Sequence, residues 1–196
     1  MSALPKMKLT VAEYLTIERK AQFKSEFFNG EMFAMSGASP THNYVKENLI
    51  IELGVRLKGG PCRTVSSDQR VKVNRTGLFT YPDILILCGT PEYDADDSHT
   101  LLNPVAIIEV LSPSTEKYDR GAKFRNYQQI PSLMEYVLVA QDEAVCERFV
   151  RLADGSWALV SFVGLTATLA LTSVAVQIAL ADVYAGVTFP DSAPPE

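Results

Sequence analysis

The chain has 196 residues, of which 47% are hydrophobic and 21% are charged, values typical of a folded globular domain that exclude general disorder. Its 18 basic and 23 acidic residues give a formal net charge of −5, which argues against a protein that coats nucleic acid through bulk positive charge. Residues 1–10 contain no apolar run followed by a small-residue cleavage site, so we expect no secretory signal.

The N-terminal part of the chain contains one helix signal and one hairpin signal. Thr10 and Glu13 have the spacing of a capping box, which predicts a short helix at this point. Asn29-Gly30 lies between two strand-like stretches, and this dipeptide favours the tight turn of a β-hairpin. We therefore predict two paired strands, over residues 24–28 and 31–36.

A long helix and three strands are predicted next. Thr41 is in position to cap a helix over residues 42–57. Four aliphatic side chains in this helix repeat at every fourth position and fall near one face, namely Val45, Leu49, Leu53 and Leu57. The strands that follow are predicted over residues 62–73 (with a break), 81–88 and 105–111. The acidic loop between the last two contains Glu92, Asp94, Asp96 and Asp97, and we expect it to be solvated because it lacks the spacing of a calcium loop.

The second half of the chain predicts one helix followed mainly by strands. Ser112 and Ser114 are expected to cap a helix over residues 116–129, and Pro131 follows it. The remaining predicted elements are a core strand, a meander of three strands and a short last helix, over residues 135–140, 146–152, 156–163, 168–171 and 180–184.

These elements predict one domain of α+β or mixed α/β class over residues 1–189, with a flexible tail at residues 190–196. The uncharged stretch between Asp154 and Asp182 is long enough to cross a membrane. Its alternation of apolar residues with Ser and Thr instead predicts strands, so we expect no membrane association.

The cysteine pattern predicts reduced thiols. Cys62, Cys88 and Cys146 lie far apart and form no CxxC pair, which argues against a disulfide framework or a zinc site. Free thiols are typical of a cytoplasmic protein, and this is the location that we expect.

Two acidic residues lie in otherwise apolar strand sequences. Asp83 heads the run Ile84–Leu87, and Glu109 lies within the run from Ile107 to Leu111. A buried carboxylate is costly unless it is paired or binds a cation. The structural alternatives are a turn-capping Asp83 and a buried salt bridge at Glu109. Together, the two carboxylates could share Mg²⁺ or Mn²⁺, with the backbone carbonyl of Leu111 as a further ligand.

A cation is available on the following helix. Asp119, Lys123 and Tyr127 are spaced by four and therefore line one helix face. A surface ion pair between Asp119 and Lys123 is the structural alternative. In the functional interpretation, the Lys123 ammonium points to the metal site, where it could orient or help deprotonate water and offset phosphate charge.

These residues carry a resemblance. Pro82-Asp83 followed by Glu109-Val110-Leu111 resembles the PD-(D/E)XK nuclease superfamily, with Leu111 where the superfamily usually has lysine. Some members carry that lysine on the next helix, and Lys123 fits this migration. An ordered set of short motifs also resembles the Uma-type restriction endonuclease family, described as a domain of unknown function: Asn29-Gly30-Glu31, Met35-Ser36-Gly37, His42, Ser67–Val71, Pro82-Asp83, Ile108–Ser114, Asp119, Lys123, Tyr127 and Glu135-Tyr136.

The resemblance implies a restriction-endonuclease-like core in the order αβββαβ, with an N-terminal hairpin and a C-terminal β-meander. It also implies a homodimer and metal-dependent hydrolysis of nucleic acid, with DNA as the expected substrate. Asp83, Glu109 and Lys123 are the catalytic candidates.

Supporting roles near the metal are assigned to Glu31, His42, Asp119 and Tyr127. For Glu31 the alternative is a role in hairpin register or a salt bridge, and for His42 it is capping or packing. Leu111 and the acidic net charge keep open a catalytically inactive module that binds nucleic acid or assembles proteins. A metal hydrolase of an unrelated fold is a third hypothesis, but the chain has only two histidines to serve as ligands.

Overall fold

The structure is a computed structural model that describes residues 8–35 and 37–189. The predicted tail at residues 190–196 lies outside the described residues, as do residues 1–7 and Ser36. The helices of the described chain are α1 (Val11–Glu18), α2 (Pro40–Leu57), α3 (Glu116–Tyr118), α4 (Phe124–Tyr127) and α5 (Leu180–Val183). A π-helical turn over Asp119–Lys123 joins α3 to α4, so the predicted helix over residues 116–129 is interrupted.

The strands of the described chain form three sheets. The first sheet contains β1 (Ser25–Phe28), β2 (Glu31–Ala34), β4 (Arg70–Val73), β5 (Leu78–Thr80), β7 (Tyr93–Asp94) and β8 (Asp97–Leu101). The second contains β3 (Cys62–Ser66), β6 (Ile84–Cys88), β9 (Ala106–Val110), β10 (Glu135–Val139), β11 (Val145–Arg151) and β12 (Trp157–Val163). The third is the antiparallel pair β13 (Thr168–Leu171) and β14 (Val176–Ala179).

The second sheet contains the predicted restriction-endonuclease-like core. Along the chain, α2 precedes the core strands β3, β6 and β9, and the helical segment α3–α4 then leads to β10, which is the order αβββαβ. Strand β6 is antiparallel to both of its neighbours, β3 and β9, whereas β10 is parallel to β9. A parallel pair needs a crossover, and the α3–α4 segment provides it. The mixed α+β fold is confirmed, and β11 and β12 continue the sheet as an antiparallel meander.

The N-terminal signals are also confirmed. The Thr10 side chain accepts a hydrogen bond from Glu13 N–H at 3.2 Å, and the Glu13 carboxylate reciprocates at the Thr10 backbone. In the hairpin of β1 and β2, Asn29 and Gly30 have φ angles of 51° and 83°. This left-handed backbone is the one that the Asn-Gly turn requires.

Helix α2 begins earlier than predicted. Ser39 rather than Thr41 is its cap, since the Ser39 hydroxyl accepts from His42 N–H at 3.0 Å. Pro40 then occupies the first helical position, where its fixed φ favours a helix start. The four predicted aliphatic side chains are buried against one face of the second sheet: Val45, Leu49, Leu53 and Leu57. The opposite face of that sheet packs on β4, β5 and the α3–α4 segment.

The acidic loop is solvated only in part, since Glu92 and Asp96 are exposed as predicted. Its residues form β7 and β8 of the first sheet, and both Asp94 and Asp97 are buried. Lys72 forms an ion pair with Asp94, and Arg70 forms one with Asp97. Opposite charges from the adjacent strand β4 offset the cost of burying these carboxylates, and the sequence spacing did not reveal that adjacency. The predicted single stretch over residues 62–73 is likewise divided between two sheets.

The expectation of three reduced thiols is wrong for two of them. Cys62 and Cys88 form a disulfide. They are directly opposite each other in the antiparallel pair of β3 and β6, with their Cα atoms 4.0 Å apart. Strand register, which the sequence separation of 26 residues conceals, brings them together. Cys146 is free and buried. The cytoplasmic location loses its main support and stays a prediction.

Two further expectations concern Ser112, Ser114 and the uncharged C-terminal stretch. The hydroxyls of Ser112 and Ser114 contact each other at 3.1 Å, and α3 has no side-chain cap.

The stretch between Asp154 and Asp182 forms strands rather than a membrane helix. Within residues 8–35 and 37–189, no helix is long and apolar enough to span a membrane.

Candidate active site

Asp83 and Glu109 meet where β6 begins beside β9. In this antiparallel pair Ile84 lies opposite Ile108, so the residue before β6 lies next to Glu109. The Asp83 N–H donates to Glu109 Oε2 at 3.2 Å, and the Val110 N–H donates to Asp83 Oδ2 at 2.9 Å. The structure therefore brings the two predicted carboxylates together and ties each one to the backbone of the neighbouring strand.

Lys123 reaches the same point from the π-helical turn. Its Nζ lies 2.9 Å from Glu109 Oε1 and 3.3 Å from Asp119 Oδ1. Lys123 is only 6% exposed and Asp119 only 3%, so their ion pair is buried rather than on the surface. A single π-helical turn within an otherwise α-helical segment is frequent at functional sites.

Glu26 is a fourth carboxylate that sequence reasoning missed. It is buried on β1, and its Oε1 lies 3.3 Å from Lys123 Nζ. The Thr80 hydroxyl of the adjacent strand β5 donates to the same Oε1 at 2.5 Å. The signal was present, because Glu26 stands in the strand Ser-Glu-Phe-Phe much as Glu109 stands in its apolar strand.

The supporting candidates occupy different places. Tyr127 donates its hydroxyl to Glu109 Oε1 at 2.9 Å. His42 Nε2 lies 3.1 Å from Asp83 Oδ2, and its buried Nδ1 has no hydrogen-bond partner among the described residues. Glu31 lies opposite Phe28 in the hairpin and is not one of the described residues that line the site.

Leu111 contributes its side chain to the core rather than to the lining of the site. Its side chain is buried in the core between the two larger sheets, and its N–H donates to Val139 of β10 at 2.8 Å. The neighbours Val110 and Ser112 line the site, whereas Leu111 is not among the described lining residues. Participation of its carbonyl remains a prediction.

The carboxylates and Lys123 lie on the floor of a cavity of about 580 Å³. The lining contains four acidic residues (Glu26, Asp83, Glu109 and Asp119), one lysine and His42. Volumes of this size are usual for ligand sites. The floor therefore has an excess of negative charge in an environment with little water.

Burial and charge shift the pKa values of these groups in a consistent pattern. Burial raises the pKa of Glu109 to about 8, and the negative charges of Asp119 and Asp83 add to this effect against the opposing charge of Lys123. Burial also raises the pKa of Asp119. Burial alone would lower the pKa of Lys123, but the charge of Glu109 and its other anionic neighbours holds it well above its usual range.

The pKa of Asp83 is shifted in the opposite direction, below its usual value. Burial would raise its pKa, but hydrogen bonds to His42 and Val110 and the charges of His42 and Lys123 bring it below the usual value. Near neutral pH the metal-free site accordingly has an ionised Asp83 and a protonated Lys123, while burial of Glu109 favours its protonated form. A divalent cation would replace the Glu109 proton as the balance to this excess of acid.

The donor set fits Mg²⁺ or Mn²⁺ better than a metal held in a full protein cage. Among the described residues, no three His, Cys, Asp or Glu side chains converge as a ready-made metal cage. Mg²⁺ usually keeps several waters and binds through one or two carboxylates. Asp83 and Glu109 could provide those carboxylates, and the cavity has room for water ligands.

The chain is similar to several known proteins. Residues 11–181 match the Uma2 family, described as "Putative restriction endonuclease". Two relatives come from Synechocystis sp. (strain ATCC 27184 / PCC 6803 / Kazusa). "Uncharacterized protein slr1290" is 33% identical over 185 residues, covering 94% of this chain and 96% of the relative. "Uncharacterized protein sll1609" is 34% identical over 156 residues, covering 80% and 88% respectively.

A solved structure has the same fold. It is the crystal structure of "a putative nuclease belonging to DUF820" from Anabaena variabilis. The two folds agree with a TM-score of 0.75 over 92% of this chain and 99% of that one. The sequence identity is 16%, so this likeness shows the fold alone.

The raised pKa of Glu109 predicts a pH-dependent loss of stability in the metal-free protein. Between its ordinary value of 4.5 and about 8, the unfolded chain releases the Glu109 proton while the folded protein retains it. Folding is therefore penalised increasingly as pH rises through this window, and the penalty is constant above it. Since a pKa difference of one corresponds to about 1.4 kcal/mol, the loss amounts to several kcal/mol.

Glu109→Gln removes this contribution. We expect the free energy of unfolding of Glu109→Gln, relative to the wild type, to increase from pH 5 to pH 8. Urea denaturation in the presence of EDTA measures it, and Glu92→Gln, on the exposed surface, controls for loss of a carboxylate. A difference that does not change with pH would contradict the buried, proton-retaining Glu109.

Proposed function

The chain belongs to the Uma2 family, and from this premise we propose that it is a divalent-metal-dependent endonuclease that hydrolyses phosphodiester bonds of DNA. The observation that carries the proposal is the convergence of Asp83, Glu109 and Lys123 on one cavity floor. Fold alone would not justify an activity. The specific chemistry of these three groups supports one.

In the proposed mechanism, Asp83 and Glu109 hold Mg²⁺ or Mn²⁺. Such an ion, when bound, polarises a phosphate and lowers the pKa of a bound water. Val110 N–H and His42 orient the Asp83 carboxylate, and Tyr127 orients that of Glu109. These contacts hold the two acids in position before any substrate arrives.

Lys123 acts as a fixed positive charge in this proposal. Because its pKa lies well above the usual value, it does not accept a proton from water near neutral pH. Its N–H groups face Glu26, Glu109 and Asp119, and its positive charge can stabilise the negative charge that develops on a nearby phosphate in the transition state. The lysine at this position thus supplies electrostatic stabilisation rather than general-base catalysis.

Purified protein with Mg²⁺ or Mn²⁺ should cleave DNA, and two isosteric changes should abolish most of this activity. We expect Asp83→Asn and Lys123→Met to reduce the cleavage rate by about 100-fold or more, because the first weakens the proposed metal site and the second removes a positive charge placed for the transition state. Lys117→Met is the matched control, because Lys117 is exposed on the same helical segment. Equal rates for Lys117→Met and Lys123→Met would contradict the assignment.

One observation favours a second candidate function. Leu111 fills the motif position at which the superfamily usually has lysine, and it is buried in the core. A catalytically inactive nuclease fold that binds nucleic acid would retain that feature. Calorimetry with Mn²⁺ near neutral pH separates the two functions, because an inactive module without a metal site shows no heat of binding.

Glu26 is proposed as a positioning residue for the Lys123 ammonium, which it contacts together with Glu109. We expect Glu26→Gln to reduce the cleavage rate by about tenfold, a usual cost of losing an outer contact at a metal site. Glu31→Gln tests the acid that the sequence suggested instead and should stay near the wild-type rate. If Glu31→Gln were the slower of the two variants, Glu31 rather than Glu26 would be the positioning residue.

We also propose that two chains associate through β12. This strand lies at the edge of the second sheet, contains no charged residue and exposes Leu159, Val160 and Val163. An uncharged apolar edge strand presents unpaired backbone groups that another strand can pair with. The same strand of a second copy, related by a two-fold axis, satisfies both edges at once.

A charge on β12 should separate the two chains. We expect Leu159→Lys to sediment as a monomer and the wild type to sediment as a dimer. Leu152→Lys is the control, because Leu152 is similarly exposed but lies beyond β11 in the turn. A wild-type monomer, or a Leu159→Lys dimer, would rule out association through this edge.

A further inference from the structure

Two of the three groups assigned to catalysis are recessed below the molecular surface, and the third, Asp83, has a side chain that is 20% exposed. Glu109 is 3% exposed and Lys123 is 6% exposed, although both line the cavity. A scissile phosphate must therefore enter the cavity to meet them. The backbone of an intact duplex lies on a convex surface and does not bend into a recess of this size, whereas an unpaired strand has the freedom to do so.

The cavity walls suit a nucleobase. Four aromatic residues line it, Phe28, Phe33, Tyr81 and Tyr118. Phe33 on β2 is 49% exposed while belonging to the lining, so its ring is available at the entrance. Proteins that hold single strands without reading their sequence stack bases on aromatic side chains and hold the backbone with positive charge.

The lining of the cavity contains few positive charges. Lys123 is the sole lysine and no arginine is present among the described lining residues. Lys123 is moreover engaged by Glu26, Glu109 and Asp119. A duplex carries one phosphate charge per about 1.7 Å of its axis, and proteins hold it mainly through Lys and Arg. The lining therefore offers aromatic stacking and a single phosphate position, which suits one nucleotide rather than a long stretch of backbone.

We propose that the cavity accepts one unpaired nucleotide, so that the substrate is single-stranded DNA or the single-stranded part of a branched DNA. The inference rests on the proposed nuclease function and specifies its substrate class. In this arrangement a base stacks on Phe33 at the entrance, and the adjoining phosphate descends to Asp83, Glu109 and Lys123.

The test compares one labelled oligonucleotide as a single strand and as a blunt duplex, in the presence of Mn²⁺. We expect cleavage of the single strand to be at least about tenfold faster than cleavage of the duplex. Phe33→Ala should raise KM for the single strand by about tenfold with little change in kcat, and Phe33→Tyr should restore it. Phe23→Ala is the control, since Phe23 is 77% exposed and is not among the described lining residues.

The outcomes separate this inference from the nuclease function. Duplex cleavage as fast as single-strand cleavage, or a Phe33→Ala variant that behaves like Phe23→Ala, overturns the inference and leaves the nuclease function standing. If neither substrate is cut, the nuclease function fails. Fluorescence anisotropy of the same two oligonucleotides then decides whether the cavity binds a single strand, with loss in Phe33→Ala and recovery in Phe33→Tyr expected.

Discussion

The site depends on a surplus of negative charge in a poorly hydrated place. Glu26, Asp83, Glu109 and Asp119 converge on the floor of one cavity, and Lys123 is the only ammonium among them in the described chain. Electrostatic interactions are strong where water is scarce, so one cation does not balance four carboxylates. Either a proton remains on Glu109, as its pKa of about 8 indicates, or a divalent cation takes its place. The proposed metal chemistry follows from this imbalance.

Residues from both six-stranded sheets form the floor of the cavity. In the second sheet, antiparallel register sets Asp83 beside Glu109, and alternation along β9 turns Glu109 away from the α2 side of the sheet. The crossover that a parallel β9–β10 pair needs carries Lys123 over the same face. The first sheet contributes Glu26 from the side, held by Thr80 on the adjacent strand. Elements that are distant along the chain therefore supply the charges of one site, two of them (Asp119 and Lys123) from the π-helical turn.

The entrance and the floor of the cavity are chemically different. Acidic groups with few available cations form the floor, whereas aromatic rings such as that of Phe33 line the entrance. This contrast supports stacking as the source of substrate affinity and leaves the charged groups for the reaction. The family match indicates a restriction-endonuclease-like nuclease, and the substrate form that we propose for it rests on the recessed floor and the exposed aromatic ring.

Sequence alone determined the features that depend on local pattern or on the cost of burying charge. It predicted the hairpin at Asn29-Gly30, the buried face of α2 and the pairing of Asp83 with Glu109, because a carboxylate in an apolar strand requires compensation. Tertiary structure decided what depends on strand register and on contacts between sheets. It brought Glu26 to Lys123, joined Cys62 to Cys88 and buried Asp94 beside Lys72. These partners are far apart along the chain, so nothing in their spacing encodes the contact; only the assembled sheets put them within reach of one another.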